Sequence, residues 1–202
     1  MFDHLLRVLK DRLLAPFATL LGPSVSPNVI SLIAFLFGIA AAGAAYVGRD
    51  GAALLCWLLN RTIDGLDGTQ ARVHHRQTDL GGYVDIVLDF IVYAAIPSAL
   101  ILASPAGRLV PAGVFLLSTF FVNAASQMYL AAILVRRDAG AASRGELTTV
   151  TMPPGLVAGS ETVLFFALFL AFAGWREVLF WTMGALVCAN VVQRLRWAQR
   201  TL

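Results

Sequence analysis

Apolar residues fill this chain in long runs, broken at short intervals by polar clusters. The runs predict membrane helices at 28–47, 51–73, 81–103, 109–135, 156–174 and 177–197, of the length that a bilayer crossing of ~20 apolar residues needs. Ser26-Pro27-Asn28 opens the first of them, with proline where a helix start tolerates it. Gly48 to Gly51, Ser104 to Arg108 and Gly174 to Glu177 read as tight turns on one side. The loops 73–80 and 136–155 lie on the other side, with both termini. Residues 3–20 differ: Leu5, Leu6, Leu9, Leu13 and Phe17 form one stripe, and Arg7, Lys10 and Asp11 lie elsewhere. That is the pattern of a helix resting in the membrane interface. Charges interrupt every apolar core that a signal peptide would need. The expected fold is all-α: a polytopic membrane protein of six transmembrane helices preceded by a cytoplasmic amphipathic helix. Residues 1–202 are expected to form one domain, with 1–25 as the juxtamembrane helix and 26–198 as the six-helix bundle.

Composition agrees. The chain is 58% hydrophobic and only 13% charged, against roughly 25% charged in soluble domains. So much apolar surface cannot be hidden in one core, which makes lipid the solvent. The net charge of +3 is carried by arginine, Lys10 being the only lysine. The arginines cluster in short loops, so topology rather than nucleic acid explains them. Arg7, Lys10, Arg12, Arg72, Arg76, Arg136, Arg137, Arg144, Arg194, Arg196 and Arg200 share the side of the termini; Arg49, Arg108 and Arg176 face them. The excess predicts that both termini are cytoplasmic, in the inner membrane of a bacterium or archaeon. Cys56 and Cys188 sit in apolar runs without metal-ligand neighbours and read as small buried hydrophobes.

Acids inside membrane segments are expensive and are functional by default. Five of the twelve, Asp64, Asp67, Asp85, Asp89 and Glu161, lie inside predicted spans. Asp64 and Asp67 are three apart, and Asp85 and Asp89 four apart, so each pair shares a helix face. The short loop 73–80 makes the two helices antiparallel neighbours. At 1.5 Å per residue, Asp67 and Asp64 lie about 8 and 12 Å from Arg72, and Asp85 and Asp89 about 6 and 12 Å from Gly81. All four are therefore expected at one level in the cytoplasmic half. Facing carboxylates do not all stay ionised unaided. Two divalent cations would neutralise them, and oxygen-only ligands favour Mg²⁺ or Mn²⁺. Gly68, Ala71 and Gly81 keep the surface beside the acids shallow, and Arg72 adds a guanidinium. Cations, an arginine and a shallow face point to a nucleotide diphosphate, although glycines in membrane helices also serve plain packing.

The run Asp64-Gly-Leu-Asp67-Gly68-Thr-Gln-Ala71-Arg72, eight further residues, then Gly81-Gly-Tyr-Val-Asp85-Ile-Val-Leu-Asp89 resembles the signature of the CDP-alcohol phosphotransferase family, D-x-x-D-G-x-x-A-R, a gap, then G-x-x-x-D-x-x-x-D. Every fixed position matches. The resemblance implies that Asp64, Asp67 and Asp85 are metal ligands, that Asp89 joins at the second metal, and that Asp89 is also the base for the acceptor hydroxyl. Gly68, Ala71 and Gly81 would make room for cytidine, Arg72 would hold the phosphates, and Pro27 and Asn28 would border the nucleotide. Family members are commonly homodimers.

The implied reaction moves a phosphatidyl group from CDP-diacylglycerol to a small hydroxylated acceptor (serine, glycerol phosphate or an inositol-type alcohol), releasing CMP for phospholipid synthesis. Ile86 and Phe90 depart from the proline and lysine usual in branches that take glycerol phosphate, which disfavours that acceptor. Candidate acceptor-pocket residues are Glu161, expected about 9 Å deep, with Asn123, Gln127, Arg61, Arg137 and Arg144. Each also has a structural reading: Arg61 pairs with Asp64, Glu161 pairs with Arg61 or Arg144, Arg137 anchors topology, and Asn123 and Gln127 join helices. His74 and His75 read as loop residues. Rival functions are transfer from a soluble CDP-alcohol to diacylglycerol, a UbiA-type prenyltransferase, and a divalent-cation transporter. The last would want acids spread along a path, whereas these gather at one depth.

Overall fold

The computed structural model describes the backbone of residues 3–140 and 157–202 and the side chains of 12–140 and 157–202. Among these residues there is no strand. The helices are α1 (Asp3–Leu21), α2 (Pro27–Tyr46), α3 (Asp50–Val73), α4 (Asp79–Leu102), α5 (Val110–Arg136), α6 (Gly159–Ala171) and α7 (Arg176–Thr201). Single 3-10 turns, Pro105–Gly107 and Ala173–Trp175, stand at two of the junctions.

Local chemistry explains the boundaries. Ser26 is extended and Pro27 occupies the first turn of α2, where a missing N–H costs nothing. Thr78 caps α4, its Oγ1 accepting from the Gly81 N–H at 3.0 Å. Gly48, at φ +73°, closes the turn between α2 and α3, a conformation glycine adopts without steric cost.

Every expected span meets a helix, but the six do not all qualify as crossings. Among the described residues, four stretches are long and apolar enough: α2, α4, α5 and Ala173–Thr201, which contains α7. The 24-residue α3 is long enough but carries Asp50, Arg61, Asp64, Asp67 and Arg72. The fifth expected span, 156–174, is shorter than its apolar run: α6 has 13 residues, about 20 Å of rise against a hydrocarbon core of about 30 Å. It ends where Phe172 leaves helical geometry, at φ −123° and ψ 76°. The N-terminal segment is a helix, with Leu13, Phe17 and Leu20 exposed and Ala18 fully buried. Leu5, Leu6 and Leu9 of its expected stripe lie outside the described side chains.

Helix α2 is the inner seam, packed on both α3 and α4. Its buried face is small, with Ala34, Gly38, Ala41, Ala42 and Ala45, which lets backbones approach closely. A Cβ on Gly38 would stand 2.5 Å from Val92 Cγ2 on α4 and 3.1 Å from Asn60 Nδ2 on α3. Helix α1 packs on α3, α5 on α7, and α6 touches both α3 and α7.

The apolar core gathers at one end of the bundle. Ala41 and Ala45 from α2, Ala53 and Trp57 from α3, Ile96 and Leu100 from α4, Leu116 from α5, Phe166 and Phe169 from α6, and Phe180 from α7 are all buried there. Trp57 and Phe166 stack with ring centroids 5.0 Å apart, and Phe169 meets Phe180 edge to face at 4.7 Å. At that end Arg176 donates to Asp50, joining α7 to α3, and Arg108 pairs with Glu177 at 3.0 Å. The other end, where α3 finishes and α4 begins, carries Asp64, Asp67, Asp85 and Asp89.

Candidate active site

One carboxylate oxygen each from Asp64, Asp67 and Asp85 lies within 4.8 Å of the others. Helix α3 supplies the first two one turn apart, and α4 supplies the third across the turn at 74–78. Asp67 is buried, and Ser31 of α2 donates to its Oδ2. Three clustered carboxylates, one of them buried, form an all-oxygen donor set suited to a hard divalent cation such as Mg²⁺ or Mn²⁺. The donor set fits such an ion.

Asp89 does not join this cluster. Its Oδ1 accepts from Arg61 Nη2 at 2.6 Å, and its Oδ2 from the Tyr93 hydroxyl at 3.3 Å. Asp64, Asp67 and Asp85 form the closer group, and Asp89 is joined to Asp64 through Arg61. Arg61 itself stands 3.5 Å from Asp64, so the expected pairing is present, with Asp89 as the closer partner.

The expected nucleotide face is shallow. Arg72 folds back over Gly68, so that a Cβ there would meet Arg72 Nη1 at 3.1 Å. A Cβ on Gly81 would meet Thr78 Oγ1 at 3.0 Å and Asn28 Oδ1 at 3.2 Å, which brings the start of α2 beside the start of α4. Pro27 sits next to Asn28, and its carbonyl lies 3.2 Å from the Ser31 hydroxyl. Ala71 is half-buried one turn beyond Asp67. Beneath this face Gln70, fully buried, donates to the carbonyls of Gly22 and Val25 at 2.8 and 3.1 Å. Arg76 donates to Pro23, and His74 contacts the Ala18 carbonyl. These bonds fasten the linker between α1 and α2 to the end of α3.

The acceptor-pocket candidates come from several elements. Helix α6 begins at Gly159, so Glu161 stands in its first turn rather than deep in a span. Its Oε2 accepts from the Ala158 N–H and the Ser160 hydroxyl, both at 3.0 Å, which is the work of a capping carboxylate. The expected depth is thereby corrected, because the helix starts later than the apolar run. Arg137 follows the last residue of α5 and donates to the Leu202 carbonyl at 2.7 Å. Asn123 and Gln127 are half-buried one turn apart on α5. Arg144 lies outside the described residues.

Several residues here escape a reading of the sequence alone. Arg194 of α7 is 6% exposed and donates to the Asn123 backbone carbonyl and Oδ1, both at 3.1 Å. Asn60 and Tyr93 hold Arg61, and Ser31 holds Asp67. Apart from Asn60, which neighbours Arg61 in α3, each acts across a helix contact that no local spacing announces.

Residues 24–193 match the family model for CDP-alcohol phosphatidyltransferase. The chain is 35% identical over 173 residues, 86% of its length, to the inner membrane protein YnjF of Escherichia coli, covering 82% of that protein. It is 39% identical over 83 residues to the bifunctional IPC transferase and DIPP synthase of Thermococcus kodakarensis, 41% of this chain but only 19% of that one. In fold it is similar to phosphatidylinositol phosphate synthase of Mycobacterium tuberculosis, solved with CDP-DAG bound, at TM-score 0.71, 21% identity and 92% coverage of both chains. A second structure of that synthase, in complex with manganese and citrate, gives TM-score 0.70 at 20% identity, with 91% of this chain and 87% of that one covered.

Proposed function

Since the chain belongs to the CDP-alcohol phosphatidyltransferase family, we propose that it transfers a phosphatidyl group from CDP-diacylglycerol to a small hydroxylated acceptor and releases CMP. The observation that carries this reading is the cluster of Asp64, Asp67 and Asp85, whose ligand oxygens lie within 4.8 Å of one another beside a shallow face. These three residues would hold Mg²⁺ or Mn²⁺, and in the two-ion form of the proposal Asp89 would contribute to the second. A bound cation would supply charge neutralisation at the diphosphate and help CMP to leave.

The chain's own residues do the rest. Gly68, Ala71 and Gly81 leave room for the nucleotide, with Pro27 and Asn28 at its border, and Arg72 offers its guanidinium to the phosphates. The acceptor oxygen forms a bond to the phosphatidyl phosphorus, the bond from phosphorus to the CMP oxygen breaks, and Asp89 takes the acceptor proton. Orientation and charge stabilisation are the main contributions the protein makes to such a transfer.

A phosphorylated acceptor, of the inositol phosphate kind, is the first to test. Two things support it: the name of the synthase whose fold the chain shares, and Arg194. Among the described residues that buried guanidinium meets only the neutral oxygens of Asn123, so an anion would complete its environment. Glu161, Asn123, Gln127, Arg137 and Arg144 stay in the proposal as residues near the acceptor path. The proposal also retains a homodimer with cytoplasmic termini, since arginines crowd the acidic end of the bundle.

The test is purified protein with labelled CDP-diacylglycerol, Mg²⁺ or Mn²⁺, and single acceptors: inositol phosphate, glycerol phosphate, inositol, serine, ethanolamine. CMP release that depends on one acceptor names the reaction. No CMP release with any of them, under conditions where the protein is folded and binds Mn²⁺, refutes it.

A further inference from the structure

The first turn of α2 is not held in place by its own cap. The side chain of Ser26, the N-cap, makes no capping bond, although a serine there ordinarily accepts from one of the first helical amides and stabilises the helix start. Pro27 has no N–H to offer, and Asn28 and Val29 are exposed. The restraint comes from α3 and the turn behind it. Gln70 forks its Nε2 between the Gly22 and Val25 carbonyls at 2.8 and 3.1 Å. Arg76 Nη1 donates to the Pro23 carbonyl, and His74 Nε2 lies 3.1 Å from the Ala18 carbonyl. These side chains strap down the whole connection from the end of α1 to Val25.

Gln70 is the centre of the strap. It is fully buried, yet its Oε1 has no hydrogen-bond partner among the described residues. An unsatisfied buried carbonyl oxygen is destabilising. The reverse orientation of the amide would set Oε1 against two carbonyl oxygens, so the donor side faces the linker and the acceptor side goes without a bond. Val25, the last carbonyl that Gln70 holds, stands three residues before Asn28. A Cβ on Gly81 would meet Asn28 Oδ1 at 3.2 Å, so the strapped segment runs directly into the face between α2 and α4. Gln70, without exposed surface, acts on that face only through the linker.

We infer that Gln70 is a positioning residue for the donor: by strapping the linker it sets Pro27 and Asn28 at the edge of the nucleotide face and so controls affinity for the cytidine part of the donor. This inference rests on the proposed function. It separates two tasks within one helix. Asp64 and Asp67 serve the cation, whereas Gln70 serves the nucleotide without touching it.

The test titrates CMP calorimetrically onto the purified protein with Mn²⁺, beside steady-state kinetics at varied CDP-diacylglycerol. Gln70→Met keeps the volume and removes both the strap donor and the unsatisfied oxygen, so the thermal midpoint should move little. It is expected to weaken CMP binding and raise the donor KM about tenfold, the scale of one hydrogen bond, with kcat and Mn²⁺ affinity within about threefold. Asn28→Ala should do the same. In the Asn28→Ala background, Gln70→Met should add less than about twofold, because the residue it positions is gone. A glutamine that only supports the fold would lower the midpoint and kcat without moving CMP affinity, and that result overturns the inference. So does a full second loss in the double variant, or an Asn28→Ala protein that binds CMP normally. If Gln70→Met does not fold, Arg76→Gln, which frees only the Pro23 carbonyl, takes its place in the cycle with a smaller expected effect. A loss that persists in the Asn28→Ala background then comes from the missing charge and overturns the inference. A protein that binds CMP in the expected pattern but releases none from CDP-diacylglycerol with any acceptor overturns the proposed function instead, and the effect of Gln70 on nucleotide affinity stands.

Discussion

The Ser31 hydroxyl donates to Asp67 from a different helix, 36 residues earlier in the chain. Partners that orient a metal-binding carboxylate typically carry ten- to a hundredfold in affinity. Ser31→Ala is therefore expected to weaken Mn²⁺ binding by about that factor with little change in thermal midpoint, as a metal titration would show. Gly68→Ala acts on the substrate side. Its Cβ would press on the Arg72 guanidinium, 3.1 Å away, the far end of a flexible side chain that can shift. Folding should survive, while the displaced cation raises the KM for CDP-diacylglycerol about tenfold, the equivalent of ~1.4 kcal/mol of binding. Steady-state kinetics at varied donor would read it. At this scale the sequence shows the acids but not their environment. The spacing of Asp64 to Asp67 is local and survives folding as a shared face. The partners of Asp89, Arg61 and Tyr93, come together through the contact of α3 with α4, which no spacing within one helix encodes. Glu161 misleads for a related reason: its expected depth is reckoned from an apolar run that begins before its helix does.

Between elements, closeness depends on what is missing from side chains. Helix α2 reaches α3 and α4 at once because most of its inner face is alanine and glycine. Gly38→Ala would place a methyl 2.5 Å from Val92 Cγ2 and 3.1 Å from Asn60 Nδ2, and Val92 is 1% exposed with little freedom to yield. Overpacking of this kind costs about 1–3 kcal/mol. The expected outcome is a lower thermal midpoint in detergent. Turnover should also fall, because Asn60 is the anchor of Arg61. A scan of melting temperature with a parallel assay of CMP release measures both. Helix existence is legible from hydropathy, and each expected span meets a helix. Lengths are less legible: apolar composition runs past the point where Phe172 turns out of α6, and the acids that give α3 its chemistry deprive it of a membrane-like profile.

Across the whole molecule, packing and chemistry occupy opposite ends. Trp57, Phe166, Phe169 and Phe180 fill one end, while the aspartates, Gly68, Gly81 and the linker bonds of Gln70 and Arg76 occupy the other. The two ends should fail separately. Trp57→Ala removes a fully buried indole and is expected to cost about 3–5 kcal/mol of stability, with metal affinity near normal in the folded fraction. Asp85→Asn should abolish Mn²⁺ binding and CMP release while leaving the thermal midpoint unchanged or higher, since it relieves repulsion among carboxylates. Unfolding and Mn²⁺ titration of the two variants side by side check the division.

That division bears on how relatives of this protein can be told apart. Superposition mostly registers the packed end and the course of the helices, and a chain with its aspartates replaced by asparagines would align just as well. Shape therefore speaks to ancestry. Whether a given descendant keeps the donor set for a cation is decided by a few carboxylate oxygens.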